Sequence, residues 1–354
     1  MTTYRVAVLG GDGIGPDVIA EALKVLGAAG RRMAGVSLEF RHYPAGAGEY
    51  LRRGDPLPAA TLEACHQAHA ILLGAMGLPN VRWPGGTEMA PQLDLREQLD
   101  LYCGLRPIRL YHPADSALRA PGSIDFLIVR ENTEGMFYSR KGTFAPEASE
   151  VIDSLRISRH GAERLFRAAF QQAARRRGLV TLVDKSNVLP SMVYFRWIFD
   201  QISAEFPAVR AEKIYVDAAA LYLVQRPQSF DVIVTENLFG DILSDLAAGL
   251  VGGMGMAPSG DIGDRHAVFQ PSHGSAPDIA GRGIANPTAA ILSAAMMLEW
   301  LDQPETARAA DRIRRAVERV FADPSQRTPD LGGTLTTTQM GDRIASALEE
   351  DDPS

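Results

Sequence analysis

Gly10-Gly11-Asp12-Gly13-Ile14-Gly15-Pro16 follows an apolar, strand-like run at 6–9 and leads into a helical pattern at 17–29. Strand, glycine-rich turn and helix, in that order, are where a Rossmann fold keeps its dinucleotide fingerprint. No G-x-G-x-x-G register fits these residues, so that phosphate-cradling turn is not encoded here. Pro16 suits the first turn of a helix, where its missing N–H costs nothing. Two readings stand: a plain strand-to-helix turn, or one that also approaches a cofactor around Ile14.

Outward from this turn, short apolar β-branched runs alternate with amphipathic helical patterns. Strands are expected at 37–43, 71–74, 124–130, 179–184, 214–217, 231–235 and 268–269, and helices at 62–68, 161–177, 192–204 and 241–250. Beyond 286 the pattern turns helical, at 288–301, 305–321 and 339–349. Continuous apolar strands separated by helices indicate an α/β protein with a parallel or mixed sheet. No repeat, low-complexity tract or Ser/Gly linker interrupts the chain, and only 349–354 reads as a frayed acidic end.

The 354 residues suggest two domains or one large one, and 46% hydrophobic content suffices for a sizeable core. A formal net charge of -7 argues against nucleic-acid binding, which needs a basic face. An anionic substrate must then be captured by a local arginine cluster. Cys65 and Cys103 are too few for a disulfide framework and fit a reducing cytoplasm. The first residues carry no signal-peptide pattern, and no apolar run approaches the roughly 20 residues that span a bilayer.

Chemistry concentrates in Asn237-Leu238-Phe239-Gly240-Asp241-Ile242-Leu243-Ser244-Asp245. Asp241 and Asp245, four apart on a helix, share one face. They either favour the N-terminal helix dipole or offer two carboxylates to Mg²⁺ or Mn²⁺ beside substrate oxygens. A second stretch, His273-Gly274-Ser275-Ala276-Pro277-Asp278-Ile279-Ala280-Gly281, runs on to Asn286-Pro287. Gly274 would let backbone approach a ligand closely, and Asp278 could accept from ribose hydroxyls.

With these motifs the chain resembles the β-decarboxylating dehydrogenase family of 3-isopropylmalate, isocitrate, homoisocitrate and tartrate/D-malate dehydrogenases. The likeness also rests on Leu105-Arg106-Pro107, Arg130-Glu131-Asn132-Thr133-Glu134-Gly135, Val183-Asp184-Lys185-Ser186-Asn187 and Tyr215-Val216-Asp217-Ala218, all in the family's order. The resemblance implies a two-domain fold unlike Rossmann's, with a large mixed sheet. One domain comes from both chain ends, about 1–101 and 254–354, and the other from the middle, about 102–253. It implies a homodimer whose active sites lie between domains and borrow residues from the partner subunit.

By the same resemblance, Arg96, Arg106 and Arg130 form a carboxylate clamp, chemistry for which bidentate guanidiniums are suited. Asp241 and Asp245, with Asp217 from the second subunit, hold the metal. Lys185 takes the hydroxyl proton, or else only pairs with a metal-site carboxylate. Asn187 lies near the nicotinamide, His273, Ala276, Asp278 and Asn286 near the adenosine, and Gly274 and Ser275 also bind the cofactor. NADP-using members carry Lys-Tyr where this chain has Asp278-Ile279, and a carboxylate repels a 2′-phosphate, so NAD is expected.

The pattern breaks at one place. The family's proton-donating tyrosine sits seven residues after the arginine matching Arg130; here that residue is Phe137, and Tyr138 follows. Tyr138 serves instead, or water or another side chain does, or the enzyme releases its substrate without efficient decarboxylation, or Tyr138 is an ordinary half-buried aromatic. Substrate identity is also divided. Leu93 and Val188 fit the apolar surface of isopropylmalate enzymes, whereas Gln92 spoils it. Ala90 and Gln92 stand where isocitrate enzymes use Ser and Asn. Residues 183–189 and 271–286 look nearest to isopropylmalate enzymes, and 97–111 closer to isocitrate enzymes.

Overall fold

The computed structural model describes residues 2–350. The expected acidic end therefore lies outside the described residues from 351 onward; Glu349 still belongs to the last helix. Ten strands form one sheet: β1 (Thr2–Gly11), β2 (Val36–His42), β3 (Ala70–Ala75), β4 (Cys103–Arg109), β5 (Asp125–Glu131), β6 (Leu179–Asp184), β7 (Arg210–Tyr215), β8 (Val232–Thr235), β9 (Pro258–Ile262) and β10 (Ala267–Pro271). Their spatial order is β2-β1-β3-β10-β9-β4-β5-β8-β6-β7. Both ends of the sheet are parallel, β2-β1-β3-β10 and β5-β8-β6-β7, and three antiparallel pairings through β9 and β4 join them. This is a mixed α/β fold and not a Rossmann arrangement.

The described helices are α1 (Gly15–Gly30), α2 (Ala47–Arg53), α3 (Ala59–Gln67), α4 (Pro91–Gln98), α5 (Arg159–Ala174), α6 (Pro190–Ser203), α7 (Val216–Gln225), α8 (Asn237–Leu250), α9 (Thr288–Trp300), α10 (Pro304–Ala322) and α11 (Thr337–Glu349). They cover both faces of the sheet, which is why the inner strands are apolar throughout: every residue of β3 and β6 is buried. Alternate residues feed different cores. Val6, Val8, Leu72 and Phe269 pack with α1, α9, α10 and α11, whereas Leu9, Ile71, Leu73 and Val268 meet residues of α3 and α4. In the other half, Val129, Leu182 and Val234 pack under α5 and α6, while Ile128, Val183 and Ile233 pack under α7 and α8. Each such side chain contributes about 1.5–3 kcal/mol on burial. Cys65 and Cys103 are buried and unpaired. Among the described residues, no helix is long and apolar enough to cross a membrane.

Sequence and structure differ at β4, β9, α2 and α7, none of which was among the expected runs. The strand expected at 214–217 is an overlap: β7 ends at Tyr215 and α7 begins at Val216, where the run Ala218-Ala219-Ala220-Leu221 favours helix. The Gly10–Pro16 turn is pinned from several sides. The buried Asp12 accepts from the backbone N–H of Ala47 (2.7 Å), Gly48 (2.8 Å) and Gly77 (2.9 Å). Gly13 has φ +57°, and a Cβ there would meet the Ser275 carbonyl. Ile14 is buried, and its N–H donates to that same carbonyl at 2.8 Å. This turn and the 273–281 loop are thus one packed unit.

Candidate active site

A cleft of about 240 Å³ lies where β3, β5 and β10 end and α8 begins. Gln92, Leu93, Arg96, Arg106, Arg130, Asp241, Asp245, His273 and Gly274 all line it, joined by Phe137 and Gln270. Segments from across the sequence thus converge on one concave surface, at the carboxyl ends of strands where open α/β sheets bind ligands.

Three guanidiniums form its wall. Arg130 is buried, and its Nε and Nη2 donate to Asn237 Oδ1 at 3.1 and 2.7 Å, while Nη1 meets Asp241. Burial, and then the neighbouring Arg96, lowers its pKa to about 10. The Phe137 ring lies 5.2 Å from the Arg130 guanidinium carbon, within cation–π range. Behind Arg130, Glu131 takes hydrogen bonds from Thr133 and Glu134 N–H, each at 2.7 Å. Burial outweighs these bonds and pushes the Glu131 carboxyl up to about 7. Arg96 and Arg106 both reach back to Asp261, at 2.9 and 3.1 Å. Burial works to raise the Asp261 pKa, but the charges of Arg96 and Arg106 outweigh it and hold the carboxyl well below the usual range.

Helix α8 begins at Asn237, capped by Glu236, whose carboxylate accepts the Phe239 N–H at 2.7 Å. Asp241 and Asp245 therefore lie past the first turn, where the helix dipole gives them little. Both face the cleft, and burial, followed by the charge of Asp241, raises the Asp245 pKa. These carboxylates with Asp261 formally cancel the three arginines, so a divalent cation fits: it would offset the Asp241–Asp245 repulsion and add the charge a dianion needs. Among the described residues, no group of three or more metal-binding side chains exists. Asp217 lies outside this cleft, 2.6 Å from Lys185 of its own chain.

On the loop side, burial lowers the His273 pKa. Its Nδ1 lies 2.9 Å from the Gly274 carbonyl, and its buried Nε2 has no hydrogen-bond partner among the described residues. An unpartnered ring nitrogen beside an open glycine suits a nucleotide. Ser275 is buried against Gly77, Ala276 adopts a positive φ of +37°, and Asp278 is exposed. Asn286 is buried, with Oδ1 accepting the Thr288 N–H at 3.0 Å and Nδ2 donating to Asp330 at 3.1 Å. Asp330 was not singled out in the sequence.

Residues 5–344 match the family described as isocitrate/isopropylmalate dehydrogenase. The chain belongs to this family. It is 47% identical to 3-isopropylmalate dehydrogenase of Corynebacterium aurimucosum, over 97% of this chain and 99% of that one. It is 46% identical to isocitrate/homoisocitrate dehydrogenase of Thermus thermophilus, over 98% and 99%. Isocitrate dehydrogenase from Methylococcus capsulatus superposes with a TM-score of 0.88 at 38% identity, covering 98% of this chain and 99% of that one. As a member of the isocitrate/isopropylmalate dehydrogenase family, the protein is an oxidoreductase.

Not every candidate converges on the cleft. Lys185, Asn187, Val188 and Asp217 do not line it, and Asn187, Val188 and Asp217 are exposed. The structure also separates Phe137 from Tyr138. Phe137 lines the cleft, whereas Tyr138 is 54% exposed with its ring 4.9 Å from Arg156. The short 3₁₀ turn Met136–Ser139 rotates successive side chains by roughly a third of a turn, so the two rings cannot serve one point.

Proposed function

We propose that the protein is an NAD-dependent, Mg²⁺- or Mn²⁺-dependent dehydrogenase that oxidises a 2-hydroxy polycarboxylate, with β-decarboxylation, its substrate being 3-isopropylmalate or a related β-substituted malate. The observation that carries this reading is the convergence of Arg96, Arg106 and Arg130 with Asp241 and Asp245 in one cleft. In this reading the arginines fix the substrate carboxylates and Leu93 meets the β substituent, joined by Val188 only if a second subunit brings it to the cleft. Ile14, Asn187, Gly274 and the 273–286 loop hold NAD, and the Asp278 carboxylate disfavours a 2′-phosphate. Nicotinamide supplies a hydride acceptor and the divalent cation a Lewis acid between Asp241, Asp245 and the Asp217 of a second subunit.

Lys185, paired with Asp217 at 2.6 Å and brought with it by the second subunit, takes the hydroxyl proton as hydride leaves C2. The C3 carboxylate then departs as CO₂, and its electron pair stays on the substrate until C3 is protonated. The division into domains 1–101 with 254–354 and 102–253, the homodimer and a cytoplasmic location belong to the same reading. So does the absence of nucleic-acid or membrane partners.

Phe137 favours a second reading. A phenyl ring in the cleft cannot give C3 its proton, so a tartrate/D-malate type of enzyme with incomplete decarboxylation is the alternative, and isocitrate or homoisocitrate another substrate. The test is NADH formation with Mg²⁺ or Mn²⁺ on 3-isopropylmalate, D-malate, tartrate, isocitrate and homoisocitrate, counting CO₂. Equal NADH and CO₂, greatest with 3-isopropylmalate, is expected. Far better turnover of D-malate or tartrate, with CO₂ lagging, would install the second reading.

A further inference from the structure

Asp261 lies behind the cleft wall, 1% exposed, and receives four side-chain hydrogen bonds. Oδ2 accepts from Arg96 Nε at 2.9 Å and Gln270 Nε2 at 2.8 Å; Oδ1 accepts from Arg106 Nη2 at 3.1 Å and Asn132 Nδ2 at 2.8 Å. Its own position is fixed by the sheet, since β9 pairs with β4 opposite Gly104 and with β10 opposite Val268. The two arginines come from different elements, α4 and β4. Each spends part of its fork on Asp261. Arg96 meets Asp261 through Nε, Arg106 through Nη2, and both arginines line the cleft.

From this arrangement we infer that Asp261 is the positioning residue of the substrate clamp: one carboxylate, anchored in β9, aims two guanidiniums at the substrate. The inference rests on the clamp reading above, though not on which hydroxy acid is the natural one. Two physical effects of Asp261 oppose each other. As a negative charge near the cleft it weakens anion binding, by Coulomb's law. As a shared acceptor it holds together two like charges that otherwise repel, in the orientation that bidentate carboxylate recognition requires. The four hydrogen bonds, all on a buried group, argue that orientation dominates.

Gln270 makes the distinction testable, because its amide touches the Asp261 carboxylate. Exchanging the two groups, in Asp261→Asn with Gln270→Glu, keeps one carboxylate and one amide in contact while moving the charge by one strand. Calorimetric titration with 3-isopropylmalate and with D-malate is run on wild type, Asp261→Asn and the exchanged double variant. The temperature is one at which melting curves show all three folded. Asp261→Asn is expected to bind at least about tenfold more weakly, raising KM while kcat stays within about threefold. The double variant, whose carboxylate no longer sits in β9, should stay about as weak as Asp261→Asn.

Equal or tighter binding by Asp261→Asn would overturn the inference, leaving Asp261 as a charge that the clamp merely tolerates. Full recovery of affinity by the double variant also counts against it, since a charge on either strand would then suffice. If wild type itself binds neither of these nor tartrate, isocitrate or homoisocitrate, the clamp reading falls and the inference with it, an outcome distinct from the first.

Discussion

The difference between Phe137 and Tyr138 turns on which ring faces the cleft. Adding a hydroxyl to the Phe137 ring would put a phenol beside Arg130, a donor where C3 needs a proton. Phe137→Tyr is therefore expected to raise the ratio of CO₂ to NADH toward one wherever wild type falls short. Tyr138→Phe should leave both products within about twofold, because that ring is solvated and set against Arg156. Collapse of CO₂ release in Tyr138→Phe would instead make Tyr138 the donor. At this scale the sequence was legible where chemistry clusters in motifs: Arg96, Arg106, Arg130, Asp241 and Asp245 meet in one cleft. Asp261 was not legible. In Pro258-Ser259-Gly260-Asp261 an acid reads as part of a turn, and only the pairing of β9 with β4 and β10 turns it inward to two arginines.

Helix α8 couples local sequence to the clamp through its glycines. A Cβ on Gly240 would stand 2.6 Å from Arg130 Cγ, whereas one on Gly249 of the same helix meets nothing within 4 Å. Alanine is the better helix former by about 1 kcal/mol at either position. Gly249→Ala should accordingly stabilise by about 0.5–1 kcal/mol. Gly240→Ala should destabilise by about 1–3 kcal/mol through overpacking. It should also raise KM about tenfold or more as Arg130 is displaced. Melting curves and steady-state kinetics on the pair check this; similar behaviour of both variants would show that the Arg130 stem simply moves aside. The strongly apolar elements β3, β6 and β8 could be read directly. Gly104, Arg106, Pro107 and Arg109 hide β4, and Pro258, Gly260 and Asp261 hide β9, residues that are poor strand formers alone. Both strands persist because neighbours on each side saturate their backbone.

At the scale of the whole molecule, one chain leaves its chemistry divided. Lys185 and Asp217 pair with each other outside the cleft, beside the start of α7. On the face that α7 and α8 cover, Leu221, Val224 and Ile242 are exposed. Such an apolar surface is what an isologous dimer buries. If two subunits pair across it and each lends Lys185 and Asp217 to the other's cleft, Lys185→Ala and Asp245→Asn cripple different halves of each site. Separately, both variants should be nearly inactive. Dissociated and reassociated together, half of the dimers are mixed. Each mixed dimer holds one cleft with an intact Asp245 facing an intact Lys185, and one cleft that lacks both. Recovery should therefore approach about a quarter of wild-type activity, the statistical value for a two-fold assembly with shared sites. Sedimentation must show dimers before and after mixing. Dimers that exchange subunits yet recover nothing would mean that Lys185 serves the cleft of its own chain, by a domain closure that brings it to Asp241 and Asp245.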